Sequence, residues 1–220
     1  MSKWQKEKKI VLEAAKTMLE KRLVVATAGN VSLRLPPEGD KHLLAITPSS
    51  RHYDSLRVDD IQIIDFETKS VEGNLPPSME AKLHIGIYEA RKNVNAVIHT
   101  HSVFASAVAV AGLNIPAILD DQVVFLGGEI KLARYALTGS REQVANVLAA
   151  LEDRNAMLLS NHGAVGTGRN MREAFSTCEL IEKTARIYLL ALSAGKVNNL
   201  PPEALEAEKA LYDTLQNSGD

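Results

Sequence analysis

Two histidines one residue apart stand inside an apolar run, "AVIHTHS", residues 96–102. In a β-strand, side chains two residues apart project from the same face, so His99 and His101 would form a chelating pair. A third histidine, His162, follows the apolar run "AMLLS" in "SNHGAVG", where glycine lets the chain turn at the strand's end. Three neutral imidazoles at strand ends suit zinc or a similar divalent ion, and three protein ligands with an open position is the catalytic arrangement. Glu80, in "PPSMEAKLH", opens a helix directly before the His-x-His strand and offers a carboxylate. An acid in a first helical turn is also ordinary macrodipole stabilisation; its company with three histidines is what points to a metal. His84, four residues on and therefore on the same helix face, is a rival ligand, and packing or a bond to nearby backbone is its plainer role. His42 and His52 lie among turn and charged residues and are expected to face solvent.

A second group of residues suits an anion. "TAGNVS" joins Thr27, Gly29 and Asn30 at a turn before a strand, a combination able to present successive backbone N–H groups. "TPSS" adds Ser49 and Ser50, and Ser78 sits at the start of the Glu80 helix, where exposed N–H groups and the helix dipole favour a phosphate. Each segment alone is also ordinary turn or N-cap chemistry. Beside the metal candidates they suggest an anionic, oxygen-rich substrate.

These residues need elements to hold them. Ile10, Val11, Ala14, Ala15, Met18 and Leu19 recur at helical spacing, so an amphipathic helix is expected over about residues 3–22. "NVSLRL" and "LLAIT" flank the turn-rich "PPEGDKH" as a hairpin, and "IQIID" is a further strand. The Glu80 helix, strand "AVIHTH", helix "SVFASAVAVAG" closed by Gly112, strand-like "QVVFLG", helix "SREQVANVLAALED" and strand "AMLLS" then alternate. A long helix over about 171–194 and a final helix from "PPEALEAEKALYDTL" complete the chain. Strands alternating with helices make an α/β protein, and the early hairpin argues against a purely parallel sheet.

The 220 residues suit one domain, 1–220, with one sizeable core. A net charge of -2, from 25 basic and 27 acidic residues mixed along the chain, lacks the basic patch that nucleic-acid binding requires. The partner expected is a small molecule or another subunit. Cys178 is the only cysteine, which excludes an internal disulfide, fits a reducing compartment and reads as a buried packing residue in a helical pattern. The charged, amphipathic N-terminus does not read as a signal peptide, and the longest apolar runs are expected to be too short to cross a bilayer. A cytoplasmic location without membrane contact is expected.

The ordered set "TAGNVSLR", "ITPSS", "PPSMEAKLH", "VIHTHS" and "LSNHGAVGTG" resembles the class II aldolase/adducin family over about residues 10–195. The resemblance implies an α/β/α sandwich around a mainly antiparallel sheet, in a four-fold homotetramer with active sites between subunits. It implies one zinc ion per subunit on His99, His101 and His162, with Glu80 as ligand and acid/base, and a phosphate held by Thr27, Gly29, Asn30, Ser49, Ser50 and Ser78. Glu rather than Asp at position 80 favours fuculose-phosphate-type aldol cleavage over sugar-phosphate 4-epimerisation. A methylthioribulose-1-phosphate-type dehydratase would use the same metal site. Adducin-type members, which are interaction modules, lack the full histidine set that this chain keeps. Two departures stand out. Where family aldolases often place a proton-donating tyrosine from a neighbouring subunit shortly after "PAI", this chain has "PAILDD", leaving Asp120, Asp121 or Tyr212 as candidates for the second proton donor. Met79 also stands where many relatives have a second serine.

Overall fold

A computed structural model describes residues 2–217. In chain order its elements are α1 (Gln5–Glu20), β1 (Asn30–Glu38), β2 (Lys41–Ile46), β3 (Gln62–Asp65), β4 (Ser70–Glu72), α2 (Ala81–Ala90), β5 (Ala96–Thr100), α3 (Val103–Val110), α4 (Asp120–Leu126), β6 (Lys131–Ala133), α5 (Arg141–Leu151), β7 (Ala156–Leu159), β8 (Gly163–Gly168), α6 (Met171–Ser193) and α7 (Pro202–Asn217). The strands form one sheet in the order β4-β3-β2-β1-β5-β8-β7-β6. Every neighbouring pair is antiparallel except β6 with β7.

Strand alternation decides which helix each residue meets. On β5, Ala96 and Ile98 pack with Val11 and Met18 of α1 and Cys178 of α6, whereas Val97 packs with Leu83 and Ile87 of α2 and Val147 of α5. His99, two residues beyond Val97, therefore lies on the α2 face. A third cluster joins Ala105 and Val108 of α3 to Ile181 and Ala185 of α6 and to Leu158 and Ala164 of the sheet. The result is the expected α/β/α sandwich. Each large apolar side chain taken fully from water, such as Ile98 or Leu83, contributes roughly 1.5–3 kcal/mol before chain entropy is set against it.

The run "QVVFLG", expected as a strand, lies within helix α4 and the glycine after it. Its buried Val123 and Leu126 are three apart, and Gly127 closes the helix in the left-handed region at φ 92. A short apolar run carries too little periodicity to separate the two forms. The segment "GAVGTG", unassigned to an element from sequence, is strand β8. Its glycines admit α6: a Cβ on Gly166 would stand 2.6 Å from Cys178 Sγ. Cys178 itself is buried, as its helical pattern suggests. No helix among the described residues is long and apolar enough to cross a membrane.

Candidate active site

The three histidines converge. His99, at 0% exposure, donates from Nδ1 to the Ala164 carbonyl of β8 at 2.9 Å, so its Nε2 carries the lone pair. That Nε2 lies 2.9 Å from Nε2 of His101 and 3.3 Å from Nε2 of His162. His101 follows the end of β5, where its N–H donates to the Leu23 carbonyl at 3.0 Å. His162 sits in the β7–β8 turn behind Asn161, whose backbone is left-handed at φ 56. A Cβ on the next residue, Gly163, would collide with the Thr100 carbonyl oxygen, so only glycine lets this turn lie against β5.

Glu80 completes the group from the N-cap of α2. Its Oε2 is 3.3 Å from His99 Nε2 and its Oε1 is 4.0 Å from His162 Nδ1. Asn30 Nδ2 donates to Oε2 at 2.8 Å, and Gln143 Nε2 donates to Oε1 at 3.1 Å. Burial lowers the basicity of His101, to a pKa of about 4, and of His162, and the neighbouring His99 adds to both shifts. Burial alone would raise the Glu80 carboxyl, but His99, His162 and the Asn30 amide outweigh it and hold the group well below the usual carboxylate range. One ligand atom from each histidine lies within 4.8 Å of the others. Three nitrogens whose lone pairs converge beside an ionised carboxylate repel one another unless a proton or a cation stands between them. This donor set fits a divalent metal ion.

The anion candidates share the same cleft, of about 250 Å3. Thr27, Gly29, Asn30, Ser49, Ser50 and Ser78 all line it together with Glu80, His101 and His162. The two serine loops are stitched through backbone: Ser49 N–H donates to the Pro76 carbonyl at 2.9 Å, and Ser78 N–H to that of Thr47 at 3.1 Å. Ala26, Gly29 and Ser50 are left-handed. Gly29 is obligatory, because a Cβ there would lie 2.5 Å from the His99 carbonyl oxygen. Among the described residues no lysine or arginine lines this cleft, so an anion entering it meets hydroxyls, an amide and backbone N–H groups.

The rival ligand His84 is not among the three converging imidazoles. It is fully buried behind Asn30, whose Oδ1 is 2.5 Å from its Nε2, and burial pushes its pKa down to about 3. Of the proton-donor candidates, Tyr212 spends its hydroxyl on the Asp153 carbonyl at 2.6 Å, and Asp121 pairs with Lys183. Asp120 is exposed at the start of α4, and none of the three lines the cleft. His42 and His52 are exposed as expected. Sequence reasoning missed Gln143. Its signal is "SREQ", a capping-box pattern in which Ser140 accepts from Gln143 N–H, but the Gln143 side chain turns to Glu80 while its Oε1 accepts from Gly139 N–H at 2.7 Å. Thr138, which lines the cleft, carried no signal.

A four-donor cluster facing a hydroxyl-lined cleft on this sheet now meets the comparisons with known proteins. Residues 9–189 match the family described as Class II Aldolase and Adducin N-terminal domain, and the chain belongs to that family. The 5-deoxy-D-ribulose 1-phosphate aldolase of Bacillus thuringiensis serovar kurstaki is 32% identical over 202 residues, covering 92% of this chain and 93% of the relative. A 5-methylthioribulose-1-phosphate/5-deoxyribulose-1-phosphate aldolase of Rhodospirillum rubrum is 35% identical over 196 residues, 89% of this chain and 86% of the relative. Among solved structures, an L-fuculose 1-phosphate aldolase superposes with a TM-score of 0.88 at 31% identity, covering 97% of this chain and 98% of that one. The chain is a lyase of the aldolase type.

Proposed function

We propose that this protein is a zinc-dependent aldolase that cleaves a ketose 1-phosphate to dihydroxyacetone phosphate and a short aldehyde. The observation that carries the reading is the convergence of Glu80, His99, His101 and His162 in the cleft that the hydroxyl loops also line. L-fuculose 1-phosphate and the 5-deoxy or 5-methylthio pentulose 1-phosphates named for the relatives are the substrates of choice. All share the 1-phosphate and an apolar terminal group.

His99, His101 and His162, with Glu80 as a displaceable fourth ligand, would hold the metal. When bound, a divalent ion supplies Lewis-acid polarisation of the substrate's oxygens. Thr27, Ser49, Ser50 and Ser78, beside Gly29 and Asn30, receive the phosphate and set the sugar's register. As the C3–C4 bond breaks, the C4 hydroxyl loses its proton and its oxygen becomes the aldehyde carbonyl. The electron pair of that bond passes to C3, and Glu80 delivers the proton that C3 requires. Asp120, exposed at the start of α4, is the candidate to exchange the C4 hydroxyl proton from a neighbouring subunit. Homotetrameric assembly, with the cleft completed by a second copy, draws support from the apolar surface of α3 and α4, where Val103, Val110 and Phe125 are exposed. We place the enzyme in the cytoplasm as a single domain.

The test is zinc-loaded protein incubated with the three ketose phosphates, with products read by NMR. Release of dihydroxyacetone phosphate supports the reading; an unchanged carbon chain indicates epimerisation, and loss of water without cleavage indicates dehydration. Glu80→Gln that keeps fold and metal but loses turnover excludes an adducin-like, purely interacting role.

A further inference from the structure

β1 and α2 face each other through polar side chains. Val31 and Leu35 of β1 take the α1 face, which leaves Asn30, Ser32 and Arg34 toward α2. Glu80, His84 and Tyr88, each four residues on, face back from α2 and its cap. Two strand residues advance about 6.7 Å and four helical residues about 6 Å, so the two rows stay in step. Asn30 Nδ2 meets Glu80 Oε2 at 2.8 Å, and Asn30 Oδ1 meets His84 Nε2 at 2.5 Å. His84 Nδ1 meets Ser32 Oγ at 2.6 Å, and Ser32 Oγ meets the Tyr88 hydroxyl at 2.7 Å. Arg34 donates to the Tyr88 carbonyl at 2.5 Å. Asn30, Ser32, Glu80, His84 and Tyr88 are all at most 5% exposed.

The proton directions follow from one end. The Asn30 NH2 donates to Glu80 and its carbonyl, which can only accept, faces His84. His84 Nε2 therefore carries the proton. A neutral imidazole that donates from Nε2 accepts at Nδ1 from Ser32, and Ser32 then accepts from Tyr88. Reversing the Asn30 amide would set acceptor against acceptor at Glu80 and donor against donor at His84.

We propose that His84, and Ser32 behind it, are positioning residues: they hold the Asn30 amide in the one orientation that presents its NH2 to Glu80, and so fix the Glu80 carboxylate against His99. The effect on turnover rests on Glu80 acting as the acid/base; the proton polarity of the row does not.

Two measurements test this. In 15N NMR of histidine-labelled protein, with His84→Gln identifying the signals, His84 is expected as the neutral Nε2–H tautomer at neutral pH. The Nδ1–H tautomer or an imidazolium overturns the proposal. In kinetics, His84→Leu is expected to lower kcat by about 10- to 100-fold with KM changed less than about threefold, the scale seen when groups orienting a metal site are lost. His84→Gln, which can donate to Asn30 and accept from Ser32, should recover most of that loss. Should His84→Leu fail to fold, Ser32→Ala takes its place, with a smaller fall of the same kind. Parental kcat in the folded His84→Leu or Ser32→Ala variant, or His84→Gln as impaired as His84→Leu, contradicts the positioning role. Absence of turnover in the parent protein refutes the aldolase reading instead, and the tautomer still decides the row.

Discussion

The two walls of the cleft are built by opposite means. One wall carries the imidazoles and the carboxylate on β5, the β7–β8 turn and the cap of α2, with Glu80 and His99 buried and their outer atoms hydrogen-bonded. The other is loop, assembled from residues 27–30, 47–50 and 78 by backbone bridges and left-handed residues. Ligand atoms that must meet within tenths of an ångström need rigid elements behind them. A phosphate that can be received by several N–H and hydroxyl groups is served by loops, whose backbone is free to point donors inward.

Removing a member of the rigid wall should have the largest effect. His101→Ala is expected to lose the metal and, with several kcal/mol of Lewis-acid stabilisation gone, about 10³-fold or more in kcat. Elemental analysis beside the turnover assay checks this, and a variant retaining the parental metal content removes His101 from the ligand set. Gly29→Ala strikes where the walls touch, since its Cβ would press on the His99 carbonyl from a left-handed backbone at φ 72. It should cost about 1–3 kcal/mol of stability, read by denaturant unfolding, and disturb both walls together. Ser49→Ala or Ser50→Ala acts on the loop wall alone. Roughly tenfold higher KM for the sugar phosphate with kcat little altered is expected, the value of one hydrogen bond to a charged group. A kcat loss with KM unchanged would move these hydroxyls from recognition to chemistry.

A site on the edge strand β4 gives the smallest effect and bounds the comparison. Burial acts to raise the Glu72 carboxyl, but hydrogen bonds from Lys8 and Ser2 outweigh it and leave the group below its ordinary value. A depressed folded-state pKa stabilises the fold above the unfolded-state pKa and loses that contribution as pH falls through the folded-state value. With the carboxylate about a third exposed, Glu72→Gln should remove no more than about 0.5 kcal/mol at neutral pH and nothing in acid, measured by unfolding at both. Its kcat and KM should match the parent's.

Much of the rigid wall was legible in sequence because it obeys local periods. His-x-His on an apolar strand puts two imidazoles on one face wherever that strand goes, and Glu80 opening a helix before it was equally visible. The row behind Glu80 was half legible: polar residues 30, 32 and 34 alternate, and 80, 84 and 88 repeat at helical spacing. Only their meeting was hidden. "QVVFLG" reads as a strand and "GAVGTG" carries no strand signal for a related reason, because a seven-residue helix and a glycine-rich strand are set by what packs on them rather than by local propensity.

By itself the sequence determined the candidate ligand types, the spacing of His99 and His101, the hydroxyl segments and the alternation of strands and helices, all of which depend on neighbours a few residues away. Tertiary structure decided which side chains converge. It brought His162 to His99 across β8, turned Gln143 from a helix cap to Glu80, and made His84 the partner of Asn30 instead of a ligand. It also separated Tyr212 and Asp121 from the cleft. These outcomes depend on strand order and helix packing between residues about 50 or more apart in the chain, a distance over which no local periodicity carries information.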